Sequence, residues 1–386
     1  MENIFQLKTN GISIKNPIAL SAMAGITDSR FAASHAKNAG LAVIGAYNLD
    51  PESVKAGKEA AARGRTEFDA GEETEEILNH IQKEIQTLKK EMPDTVVAVS
   101  VRSATLEPLI KAAKRIRQEN AILELDVHCR QPEFTEKGMG QSLLKEPEKL
   151  AETIQKIKET NVTLSVKFRT SVVDPKTAAE FFDAAGADIL HADAMIEGKG
   201  SDPEAISMIR NATKKLLIAN NSVDDFDAAL NFYSSGADLV SVARAAADDP
   251  RFLPHLAEEI TKYQKETGWY NAPKHVCKQG DNRGLAFCCP PVKHCALLRK
   301  IESVGFTPEE FIKIKQDAAK GTPLEGGKET CFGSFVWCCK GTKPCYYREE
   351  SLSRHGITQD EYMRMKHELA EKIQTAIEEK KTAAMK

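Results

Sequence analysis

No apolar run in this chain of 386 residues approaches the ~20 that a bilayer-spanning helix needs. The opening MENIFQLKTN likewise has no apolar core of the kind a secretory signal carries. A soluble, cytoplasmic protein with no membrane partner is therefore expected. Net charge is nearly absent, since 53 Lys and Arg face 56 Asp and Glu. The small imbalance is divided along the chain. Residues 273–386 hold 20 basic against 15 acidic side chains, so residues 1–272 hold 33 against 41. An acidic first part lacks the clustered Lys and Arg that phosphate contacts require, which argues against a general nucleic-acid binder. The tail's charges of both signs are interspersed and read first as a solvated surface. Hydrophobic residues at 41% and charged residues at 28% exclude a mainly disordered chain. At ~150 residues per domain, the length suggests one large domain and a smaller one.

What is present is an alternation. Short β-branched runs at 17–21, 41–46, 96–101, 122–127, 163–168, 188–191, 216–219 and 239–242 read as strands. Between them lie helix-period stretches, among them 73–90, 106–118, 147–160, 174–185 and 223–234. Asp174-Pro175 is a start signal for one of these helices and Gly186 a stop. Eight such units in about 245 residues predict an α/β fold, a closed (β/α)₈ TIM barrel, with a doubly wound open sheet as the rival. The stretch 5–14, turning at Asn10-Gly11, reads as a hairpin plugging the barrel floor. Chemistry in such a barrel sits where strands end. The residues there are Met23, Asn48, Ser100, Arg102, Cys129, Lys167, Arg169, His191, Asp193, Asn220 and Arg244. A purely structural barrel end would not need so many titratable groups.

The barrel is expected over residues 1–265, followed by a linker near 267–273 and a Cys-rich domain over 274–386. That second domain ends in a helix over 358–381, with Tyr362, Met365, Leu369, Ile373 and Ile377 on one stripe. Nine cysteines are present; Cys129 stands apart from the other eight. These form two similar units, Cys277, Cys288, Cys289, Cys295 and Cys331, Cys338, Cys339, Cys345, in the contexts FCCPPVKHC and WCCKGTKPC. In a reducing compartment such a cluster points to metal before disulfides. Four thiolates per unit suit one tetrahedral zinc or one [4Fe–4S] cluster. Neither unit has the Cys-x₂₋₄-Cys knuckle common in zinc sites, and adjacent cysteines are awkward around one small ion. Two iron–sulfur clusters are therefore favoured, with zinc the alternative and His275 and His294 as substitute ligands.

The strand-end residues resemble those of the tRNA-dihydrouridine synthase family of flavin barrels. Ser21-Ala22-Met23-Ala24-Gly25-Ile26-Thr27-Asp28 looks like the family's Ala-Pro-Met-Ala-Gly-Val-Thr-Asp. Asp126-Val127-His128-Cys129 resembles its Asn-x-Gly-Cys, and Val166-Lys167-Phe168-Arg169 its Val-Lys-x-Arg. The resemblance covers about residues 5–255. It implies flavin mononucleotide (FMN) held by Ala22, Met23, Ser100, Lys167, His191, Asn220, Ala243 and Arg244, with Cys129 as the catalytic acid. Ser100 stands where the family has Gln, Asn221 follows Asn220 where it has Gly, and Ala243 and Ala245 replace phosphate-gripping glycines. Alanine there is expected to reshape the cradle.

The Cys-rich segment resembles a second family, methanogenesis marker domain 9, with its repeated aromatic-Cys-Cys…Lys-Pro-Cys. That implies an archaeal, methanogenesis-linked role. Together the two halves predict an FMN-dependent, iron–sulfur-containing oxidoreductase that reduces a C=C bond and is served by a protein electron donor or acceptor. A tRNA-dihydrouridine synthase and a non-catalytic metal-binding regulatory or assembly protein are the alternatives.

Overall fold

The computed structural model describes residues 4–196, 198–267 and 270, together with scattered positions from 305 to 383. Among the described residues, eight parallel strands close a barrel in sequence order: β1 (Ile18–Leu20), β2 (Leu41–Asn48), β3 (Val96–Arg102), β4 (Ile122–Val127), β5 (Thr163–Arg169), β6 (Ile189–Asp193), β7 (Leu216–Asn220) and β8 (Leu239–Val242). Val240 of β8 pairs with Ile18 of β1 and shuts the ring. The predicted TIM barrel is the observed fold. Several strands run one or two residues past their apolar stretch. Asn48 pairs with Arg102, and Arg169 with Asp193, so these polar rim residues are still held in the ladder. Their backbone is fixed by the sheet and only their side chains face the rim.

The helices follow the apolar stripes that the sequence displays. Thr74–Glu91 buries Ile77, Leu78, Ile81, Ile85 and Leu88 on one face. In Pro175–Ala185 the Asp174 side chain accepts from the amide of Thr177, and Gly186 ends the helix at φ 98°. The helix Phe226–Ser234 starts three residues later than its pattern suggests. Asp225 caps it by accepting from the amide of Ala228, while Asn221 and Ser222 take positive φ and cannot be helical.

The hairpin pairs Leu7–Thr9 with Ile12–Ile14 around Asn10 and Gly11. It buries Phe5, Leu7 and Ile14 and packs against β3, and Lys15 donates to Thr95 just ahead of that strand. The N-terminal end of the barrel is thereby occupied, leaving the C-terminal rim for ligands.

The chain divides into a barrel unit, Met1–Phe232 with Ala237–Thr261, and a second unit, Tyr233–Gly236 with Lys262–Lys386. The eight clustered cysteines, with His275 and His294, lie outside the described residues. Within the second unit, Thr358 and Glu361 cap one another reciprocally where the terminal helix is expected to start. Among the described residues, no helix is long and apolar enough to cross a membrane.

Candidate active site

Two cavities of ≈ 450 Å³ each open at the C-terminal rim. The first is lined by Ala22, Met23, Ser100, Cys129 and Lys167, which come from β1, β3, β4 and β5. The second is lined by Asn220, Ala243 and Arg244, from the ends of β7 and β8. His128 forms part of both walls. The barrel thus gathers residues more than two hundred positions apart in sequence onto two adjoining spaces. His191 is the exception among the expected residues: it is fully enclosed and lines neither cavity.

Beneath the cavities lies a buried polar layer. Lys167 Nζ donates to Ser21 Oγ at 2.8 Å, and Asn220 Nδ2 donates to the same oxygen at 3.3 Å. His191 Nδ1 is 2.6 Å from Glu124 Oε2, and its Nε2 is 2.7 Å from Ser241 Oγ. Burial pushes the Glu124 carboxyl up, but His191, Lys167 and Ser100 outweigh it and hold the group at about 2. Burial lowers His191, so the imidazole is neutral and donates from Nδ1 to the carboxylate. A negative charge is thereby fixed in the layer that also holds Lys167.

Cys129 sits on a turn that Asp126 organises. Asp126 Oδ1 accepts from the amides of His128 at 3.0 Å and Cys129 at 2.9 Å. The Cys129 carbonyl accepts from Gln141 at 2.8 Å, and Gly140, at φ 60°, passes so close that a Cβ would lie 2.2 Å from that oxygen. Burial, helped by the charge of Asp126, pushes the Cys129 thiol up to about 11, with Arg102 opposing. At neutral pH the sulfur keeps its proton and can donate it.

Arg102 is enclosed beside this turn. Its Nε donates to Asn48 Oδ1 at 2.7 Å, its Nη2 donates to Glu67, and its Nη1 lies 3.6 Å from Asp126 Oδ2. Glu67 belongs to a segment without regular structure that folds back over the rim. Thr66 Oγ1 donates to the Ala24 carbonyl at 2.8 Å, and Phe68 stacks on Tyr47. Gly25, at φ 72°, leaves no room for a side chain under this segment, since a Cβ would meet the Glu67 nitrogen at 2.5 Å.

On the side toward the second cavity, His128 Nε2 lies 2.8 Å from Asp193 Oδ2 and 3.0 Å from Arg169 Nη2. Asn221 Nδ2 donates to Asp193 Oδ1 at 3.0 Å. Burial opposes ionisation of Asp193, but His128, Asn221 and Arg169 prevail and hold it well below the usual carboxylate range. The Arg169 Nε is buried without a partner among the described residues. Glu67, Glu124 and Ser241 were not among the residues expected from sequence, while Ser21 was legible as part of the first-strand motif. Asp126 was legible as part of the motif around Cys129.

These residues fit FMN. Two adjoining spaces match a planar ring joined to a phosphate, with the cation of Lys167 at the first and that of Arg244 at the second. Ala243 and Ala245 line the second cavity without filling it. Among the described residues no group of three or more His, Cys, Asp and Glu side chains could hold a metal.

Comparison with known proteins places the chain among others. The profile of the family described as dihydrouridine synthase (Dus) matches residues 73–282. An uncharacterized protein of Methanocaldococcus jannaschii is 32% identical over 236 residues, covering 59% of this chain and 88% of its own length. A second uncharacterized protein of the same organism is 55% identical over 106 residues, covering 28% of this chain and 68% of its own. Among solved structures, the DHODH of Eimeria tenella in complex with ferulenol superposes with a TM-score of 0.54 at 13% identity. That superposition spans 70% of this chain and 87% of the other, and shows a shared barrel fold.

Proposed function

Because the chain belongs to the dihydrouridine synthase family, we propose that it is an FMN-dependent oxidoreductase that reduces a carbon–carbon double bond. The observation that carries this reading is the meeting of Lys167, Ser100 and Cys129 on one cavity, with Arg244 on the adjoining one. When bound, the flavin supplies the hydride. Lys167, steadied by Ser21 and by the charge of Glu124, balances negative charge on the ring. Arg244 and Asn220 hold the phosphate end. Cys129 retains its proton through burial and gives it to the substrate carbon opposite the one that is reduced.

The eight clustered cysteines support a further part of the proposal, two iron–sulfur clusters that relay single electrons from a partner protein. Zinc is the alternative. The Cys pattern and the relatives from Methanocaldococcus jannaschii support a role in methanogenesis. The family match also favours a second reading, reduction of uridine in tRNA.

Titration of the purified protein with FMN, followed by quenching of flavin fluorescence, tests the first step. Saturable binding is expected, weakened about tenfold in Lys167→Met, or about 1.4 kcal/mol. Cys129→Ala should bind flavin normally yet lose turnover. Absence of saturable binding removes the oxidoreductase reading and leaves the metal-binding scaffold. Dihydrouridine appearing in an unmodified tRNA transcript would select the second reading.

A further inference from the structure

We propose that Arg102 is the positioning residue that holds the negative charge left on Cys129 when the thiol gives up its proton. This rests on the reading of Cys129 as the acid of a flavin-dependent reduction. In that step hydride, which the bound cofactor would supply, goes to one carbon of the double bond. The S–H bond of Cys129 breaks as a C–H bond forms at the other carbon. The electron pair of the S–H bond stays on sulfur, and solvent later returns a proton.

A thiolate formed in this place is poorly solvated. Cys129 packs against the apolar cluster of Ala56, Ala60, Phe134 and Met139. The Arg102 guanidinium lies 3.8 Å from the centre of the same Phe134 ring, and both residues line the first cavity. Arg102 is 3% exposed, so its charge is little screened there. It is held in place from three elements: Asn48 at the end of β2, Glu67 on the segment over the rim, and Asp126 on β4. Beyond burial, the charges that act on the thiol are Asp126 and Glu67, which oppose the thiolate, and Arg102, which favours it together with the Gln131 amide. Burial and the two carboxylates keep the acid protonated at rest, and the cation between them offers a counter-charge at the moment of transfer.

The test is the titration of Cys129 in flavin-free protein. It is read as the rate of iodoacetamide alkylation against pH, with the modified Cys129 peptide followed by mass spectrometry. Arg102→Gln should raise the apparent pKa of Cys129 by about 1 unit, and Glu67→Gln should lower it by about as much. A merely structural role predicts the opposite sign for Arg102→Gln. Loosening the turn would expose the sulfur and bring its pKa down toward the ordinary thiol range. An unchanged or lowered pKa in Arg102→Gln overturns the proposal. If that variant does not fold, Arg102→Met, which keeps the stem and removes the charge, takes its place, and an unchanged or lowered pKa again overturns the proposal. Failure of the flavin reading shows instead as missing FMN binding and leaves this titration unaffected.

Discussion

Glu124 carries a charge that nothing outside the barrel can reach, and its neighbours make its ionisation a condition of stability. Its folded pKa of about 2 lies below the ~4.3 of an unfolded glutamate. The group therefore stabilises the fold above the unfolded value, and that contribution is lost as pH falls through the folded one. Glu124→Gln should cost about 2 kcal/mol at neutral pH, because His191 and Lys167 lose their charged partner. Its melting temperature should also fall less between pH 5 and pH 2 than that of the parent. Scanning calorimetry across that window checks both, and equal acid sensitivity in the two proteins would rule out an ionised Glu124. Glu124 and Ser241 escaped sequence reading for one reason: they sit inside strands, where alternation makes a polar residue look like ordinary patterning. Glu67 escaped for another. It lies in a stretch with no periodicity, and only the folded chain brings it to Arg102.

At the scale of elements, the strands were the most legible part. Each is a compact β-branched run bounded by turn residues, and burial on both faces keeps it largely apolar despite single polar residues such as Glu124 and Ser241. Their ends were less so, because Asn48, Arg102, Arg169 and Asp193 remain in the ladder while carrying polar side chains. Motif residues at the rim were legible because a parallel barrel must place strand ends together. The turn bearing Cys129 yields a test at this scale. Gly140→Ala adds a Cβ against the Cys129 carbonyl and forces a side chain into positive φ. It should destabilise the barrel by about 2 kcal/mol in urea unfolding. It should also slow turnover more than it weakens FMN binding, since the second cavity is untouched. Equal losses in both would show that the turn supports the flavin rather than the acid.

For the whole molecule, the cysteine units make the sharpest prediction. Protein purified without oxygen should be brown and hold iron in excess of zinc by metal analysis. Cys338→Ser with Cys339→Ser should lose part of that iron or collapse its domain, because metal binding is folding free energy in so small a unit. Colourless protein with stoichiometric zinc would leave the barrel without its electron relay.

The hairpin at residues 7–14 has one more implication. With Phe5, Leu7 and Ile14 packed into the opposite end, the barrel is a cup rather than a tube. Traffic must enter and leave by a single mouth. In the proposed reaction, substrate would reach the rim by that mouth.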